Sequence, residues 1–153
     1  MNALPAEFED LKQISLDEVL RIRSPGTYLV RVDGHSMVGA GIFSGDILIV
    51  DKAGEAKHGS IVVAAVNGEA FCKRLCFEDG NCILRSENPK YPPRHILEGD
   101  SFEVWSVVTH SVRDHDRSRS AWDTSGTPNV PNISEASILN FQQTPFNSGA
   151  CGE

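Results

Sequence analysis

Ile61-Val62-Val63-Ala64-Ala65-Val66-Asn67-Gly68-Glu69-Ala70-Phe71-Cys72-Lys73-Arg74-Leu75 is an uninterrupted apolar run, a two-residue turn signal, and a second run interrupted by the basic pair Lys73-Arg74. Asn67-Gly68 suits a type I′ hairpin because both residues tolerate positive φ. A two-residue loop pairs Val66 with Glu69, and counting outward sets Val62 opposite Lys73. Asp79-Gly80 read the same way sets Ser86 on the other side of Lys73, which therefore lies mid-sheet. Strand alternation gives it Phe71 and Leu75 as neighbours on its own face, with Val62, Ala64 and Leu84 across the ladder. Arg74 points to the other face, carrying its charge away.

Working outward, strands are expected over 28–32, 47–51, 61–66, 70–77, 82–85 and 102–112, separated by turn signals at Gly45-Asp46, Gly54, Gly59 and Pro92-Pro93. Short strands at this spacing define a mainly β, antiparallel domain. Ahead of them Ser15-Leu16-Asp17-Glu18 reads as a helix start with a capping box. Ser24-Pro25-Gly26 limits that helix to a turn or two. Three segments follow: an N-terminal arm with a short helix over 1–26, a β domain over 27–113, and a tail over 114–153. The tail is rich in Ser, Thr, Pro and Asn, a composition that buries too little apolar surface to offset ordering, so it is expected to be disordered.

The chain has 153 residues and a net charge of -7. That length holds one domain with a core. The acidic balance argues against direct nucleic-acid binding, which depends on clustered Lys and Arg displacing counterions. The longest apolar runs fall far short of the roughly 20 residues that cross a bilayer, and the acidic start lacks a signal peptide's basic head. No membrane association and a cytoplasmic location are therefore expected. Cys72, Cys76, Cys82 and Cys151 form no CxxC pair, and Cys72 and Cys76 on one strand would sit roughly 13 Å apart, out of disulfide reach. Reduced thiols and no metal or organic cofactor are expected.

Gly34-His35-Ser36-Met37 follows the first strand, so a bend at Gly34 projects Ser36 from a strand end. The backbone N–H groups of Ser36 or Met37 could then face a developing oxyanion. A serine needs a base to become a nucleophile, and lysine serves only when uncharged. An ordinary lysine is neutral in about one molecule in a few thousand at pH 7. A useful base needs a pKa about three units lower, a shift that burial on an apolar face can supply. By spacing alone, a turn hydroxyl at Ser36 and a strand charge at Lys73 are equally good readings.

From Tyr28 to Arg113 the chain resembles the self-cleaving peptidase domain shared by LexA-type repressors and UmuD-type mutagenesis proteins, and it is more similar to the latter. The resemblance rests on residues 28–37, on 41–51 (Gly41-Ile42-Phe43-Ser44-Gly45-Asp46 and the strand that follows), and on 58–69. It continues through Lys73-Arg74-Leu75, Glu87-Asn88-Pro89-Lys90-Tyr91 and Val104-Trp105-Ser106-Val107-Val108-Thr109-His110. It implies Ser36 as nucleophile and Lys73 as base. It further implies a homodimer, self-cleavage stimulated by a recombinase filament on single-stranded DNA, and a processed form acting as accessory subunit to an error-prone DNA polymerase in the SOS response. A non-catalytic interaction module is the rival expectation. A LexA-like repressor is the weaker one, because the short acidic arm leaves no room for a helix-turn-helix.

Two departures stand out. His35 replaces the acidic residue usual between the glycine and serine, and on an extended segment it would point away from Ser36. No Cys-Gly or Ala-Gly bond precedes Leu4-Pro5-Ala6, so the chain resembles a processed form, whereas Ala150-Cys151-Gly152 near the C-terminus resembles the cleavage dipeptide.

Overall fold

The computed structural model describes residues 5–6 and 14–115. Among the described residues a short helix, α1 (Leu16–Val19), precedes seven strands: β1 (Thr27–Arg31), β2 (Ile47–Asp51), β3 (Ile61–Val66), β4 (Glu69–Glu78), β5 (Asn81–Arg85), β6 (Arg94–His95) and β7 (Phe102–Val112). They form one sheet in the order β1-β2-β7-β3-β4-β5-β6. Every ladder is antiparallel. The mainly β, antiparallel expectation is met, and the strand bounds agree to within a residue at each end. The short edge strand β6 and a 3-10 turn at Val38–Ala40 were not foreseen. The expected disordered tail and the Ala150-Cys151-Gly152 dipeptide lie outside the described residues, apart from Asp114 and His115.

Both hairpins adopt the geometry their turn residues favour. Asn67 and Gly68 have φ of 52° and 83°, and Asp79 and Gly80 have 50° and 78°. The first turn fixes Val66 opposite Glu69 and Val62 opposite Lys73, so register propagates from a local turn into the centre of the sheet.

β3 lies between β4 and β7, and its alternate residues feed two separate cores. Val62, Ala64 and Val66 pack with Leu75, Leu84 and Val104 on one face. Val63 packs with Val30, Leu48, Val50, Cys72 and Trp105 on the other. An unbroken apolar run is what burial on both faces demands.

β7 departs from simple alternation twice. Its pairing slips at Trp105 against β3 and at Thr109 against β2, each an extra residue on β7. Such bulges bend a strand and increase its twist, and the first one turns Trp105 into the core against Tyr28, with ring centroids 5.7 Å apart. At α1, Ser15 caps as expected, its hydroxyl accepting from the N–H of Asp17 at 3.2 Å. The capping box does not form: the amide bonded by the Ser15 hydroxyl is that of Asp17 rather than Glu18.

Candidate active site

The loop carrying Ser36 is held at both ends. After β1 the ladder continues loosely, with Val32 N–H donating to the Asp46 carbonyl at 2.9 Å and Gly45 N–H to the Val32 carbonyl at 2.8 Å. The chain then bends at Gly34, whose φ is 106°. Met37 plugs into the core at 2% exposure, while its carbonyl accepts from Ala40 and Ile42 at 3.0 and 3.2 Å. Ser36 is thus a half-buried residue between exposed His35 and an anchored Met37. Its hydroxyl has no hydrogen-bond partner among the described residues, and the N–H groups of Ser36 and Met37 donate to no acceptor among them.

The far end of the loop is fixed by a buried carboxylate. Asp46, 1% exposed, accepts from Phe43 N–H at 2.8 Å and from two guanidinium nitrogens of Arg113 at 2.8 and 2.9 Å. Arg113 also donates to the Gly41 carbonyl at 2.9 Å and lies 4.0 Å from the Phe43 ring centroid. A buried charge with three charge-assisted or backbone partners avoids most of its desolvation penalty. The end of β7 is thereby clamped onto the loop that carries Ser36.

Lys73 is half-buried on the apolar face of β4, directly opposite fully buried Val62. Leu75 and Leu84, at 0% and 1% exposure, flank it diagonally. Burial pulls its amine below the usual lysine range, the thiolate form of Cys72 acting in the opposite direction. Cys72 itself is buried, which pushes its thiol up to about 12. At neutral pH that thiol is uncharged and gives the ammonium no support, so desolvation dominates. Nζ donates to Ser86 Oγ at 2.7 Å and stands 5.3 Å from the Tyr91 ring centroid. β4 and β5 pair from Arg74 opposite Arg85 outward, which leaves Ser86 facing Lys73 as the hairpin count requires.

Residues 86–88 connect the two halves. Ser86 meets Lys73, the Glu87 carbonyl accepts from Gly39 N–H at 2.8 Å, and Asn88 Nδ2 donates to the His35 carbonyl at 2.8 Å. The serine loop is therefore bonded on both sides of Ser36 to the segment that receives the lysine. Gly39 is needed for this approach, since a Cβ there would lie 2.5 Å from the Glu87 carbonyl oxygen. Arg74 requires a correction to its expected role. It does face away from Lys73, but its guanidinium ion-pairs with Glu87 and donates to the Gly59 carbonyl at 2.6 Å, anchoring the connecting segment. Its charge is turned back onto the site's scaffold because Glu87 follows Ser86 onto Arg74's side of the ladder.

Ser36 and Lys73 are not hydrogen-bonded to each other; the amine is on Ser86. His35 contributes its carbonyl, and its ring is exposed. Gly39, Ser86, Asn88 and Tyr91 border an open groove beside the two halves. Sequence reasoning placed Ser86 opposite Lys73 without giving it a role, and it missed Gly39, whose importance depends on a neighbour distant in the chain. Cys72, Cys76 and Cys82 are buried and form no disulfide among the described residues. Among the described residues no cluster of His, Cys, Asp and Glu is arranged to hold a metal ion. No helix among them is long and apolar enough to cross a membrane.

The chain belongs to the Peptidase S24-like family, whose sequence pattern residues 4–109 match. Among its relatives are the MucA proteins of Salmonella typhimurium and Escherichia coli, each 38% identical over 112 residues, covering 72% of this chain and 76% of theirs. The LexA repressor of Bordetella pertussis is 36% identical over 102 residues, 67% of this chain and 47% of the repressor.

Proposed function

We propose that this chain is a UmuD-type serine peptidase in which Ser36 is the nucleophile and Lys73 the general base. The observation that carries the reading is the half-buried, desolvated amine of Lys73, which donates to Ser86 at the start of a segment that is itself hydrogen-bonded to the loop of Ser36. In the reaction, neutral Lys73 takes the Ser36 hydroxyl proton as Oγ attacks the scissile carbonyl. The oxyanion meets the free N–H groups of Ser36 and Met37, and the lysine returns its proton to the departing amine. Water then hydrolyses the acyl ester on Ser36, with Lys73 again as base. A rotation about the lysine side chain, from Ser86 toward Ser36, precedes the first step. No metal or organic cofactor enters these steps.

The biological role follows the same reading. Its elements are a cytoplasmic homodimer, cleavage promoted by a recombinase filament on single-stranded DNA, and an accessory function for an error-prone translesion polymerase in SOS mutagenesis. The domain division that goes with it is a peptidase domain over 27–113 between an arm and a tail. The hydrogen bond of Lys73 to Ser86, in place of Ser36, favours one rival: a dimeric interaction module with an idle dyad.

Trans cleavage of a peptide containing a Cys-Gly bond, followed by mass spectrometry across pH, decides between them. Activity that rises with pH and vanishes in Ser36→Ala, Lys73→Ala and Lys73→Arg, all still folded, supports the peptidase. Guanidinium does not release its proton in this range, so arginine cannot substitute. An inert wild-type protein leaves the module.

A further inference from the structure

We infer that Ser86 is a positioning residue for the lysine base, an assignment that rests on the Ser36/Lys73 reading above. Three observations converge on it. Ser86 Oγ is the hydrogen-bond acceptor of Lys73 Nζ, at 2.7 Å. Ser86 begins the segment that grips the nucleophile loop at His35 and Gly39. That segment is in turn anchored by Arg74, the residue next to the base, through Glu87.

Chemistry explains why such a partner matters. A neutral primary amine has two N–H bonds and one lone pair, on a four-carbon stem with many rotamers. The apolar neighbours Val62, Leu75 and Leu84 lower its charge but offer nothing to orient it. Donating one N–H to a hydroxyl fixed relative to the Ser36 loop restricts the directions open to the lone pair. The same hydroxyl accepts from the ammonium, and so partly sustains the protonated form against desolvation. Ser86 therefore shapes both the orientation and the titration of the base.

The test uses the full chain and a fluorophosphonate probe. Ser36 Oγ attacks phosphorus, the P–F bond breaks, fluoride leaves, and the serine proton passes to Lys73 and then to water. Labelling rates are measured against pH for wild type, Ser86→Ala and Ser86→Thr, and Lys73 is titrated separately through its 13Cε resonance. The expected result for Ser86→Ala is a high-pH plateau about 10- to 100-fold lower, the loss typical of a misaligned reacting group. Its lysine titration should move to lower pH, and Ser86→Thr should recover most of the rate. A purely structural residue would move neither the titration nor the threonine rescue in this way. Should the alanine variant fail to fold, Ser86→Cys, of similar size but a weak acceptor, carries the test. A wild-type plateau with an unmoved titration in either variant overturns the assignment. Wild type that resists labelling, or Lys73→Ala that labels as fast, overturns the dyad reading and the assignment with it, whereas a dyad-dependent wild type with an unaffected Ser86→Ala overturns the assignment alone.

Discussion

Replacing Gly39 with alanine should separate activity from stability. The added Cβ would lie 2.5 Å from the Glu87 carbonyl oxygen, roughly 0.9 Å inside the 3.4 Å at which ordinary contact begins. That oxygen accepts the Gly39 N–H at 2.8 Å, so relieving the clash stretches the bond beyond 3.5 Å and breaks it. One such bond is worth about 1 kcal/mol. Alanine recovers about 0.4–1 kcal/mol by restricting the unfolded chain, since Gly39 does not require positive φ. Global stability should thus change by no more than about 1 kcal/mol. The serine loop, however, would part from residues 86–88 by nearly an ångström, a displacement that typically costs on the order of 100-fold in rate. Gly41→Ala is the control: nothing lies within 4 Å of its new Cβ, but its φ of 82° strains any side chain. It should lose stability, about 1–2 kcal/mol, without pushing on residues 86–88. Urea unfolding and fluorophosphonate labelling of Ser36 measure the two quantities. Gly39→Ala labelling at the wild-type rate would refute the claim that this contact sets the distance between Ser36 and Lys73.

Other perturbations test the remaining supports. Lys73 has a folded pKa below its unfolded value, so the unfolded chain binds more protons between the two and stability rises with pH through that window. Below it the folded state bears the whole penalty; the stability advantage of Lys73→Met over wild type, followed by thermal melts, should be greater at pH 7 than near pH 10. Asp46→Asn keeps an acceptor for Phe43 but weakens the Arg113 clamp, and should lower stability by about 2 kcal/mol in urea titrations. An unchanged midpoint would show that Arg113 hydration replaces the clamp. Cys72, held protonated with its pKa at about 12, should resist iodoacetamide at pH 8 in the folded protein and react on denaturation.

The local chemistry of turns made much of this fold readable. Asn67-Gly68 and Asp79-Gly80 prescribe positive φ, and two-residue loops transmit that geometry along both ladders, so Lys73 could be set between Val62 and Ser86 from sequence. The continuous apolar run of β3 accords with the burial that the structure gives it on both faces. Arg74 was assigned to the correct face yet misjudged, because alternation gives a side chain's direction and says nothing of a carboxylate arriving from beyond the next strand.

By itself, then, the sequence determined the antiparallel strands, their hairpin registers and the apolar company of the lysine, all of which follow from interactions between near neighbours in the chain. Only the tertiary structure decided that Gly39 and His35 meet residues 86–88, that Asp46 is closed by Arg113, and that Trp105 enters the core through a bulge. Those contacts join segments dozens of positions apart, and their distances are set by the packing and coiling of the whole sheet, which no local pattern encodes.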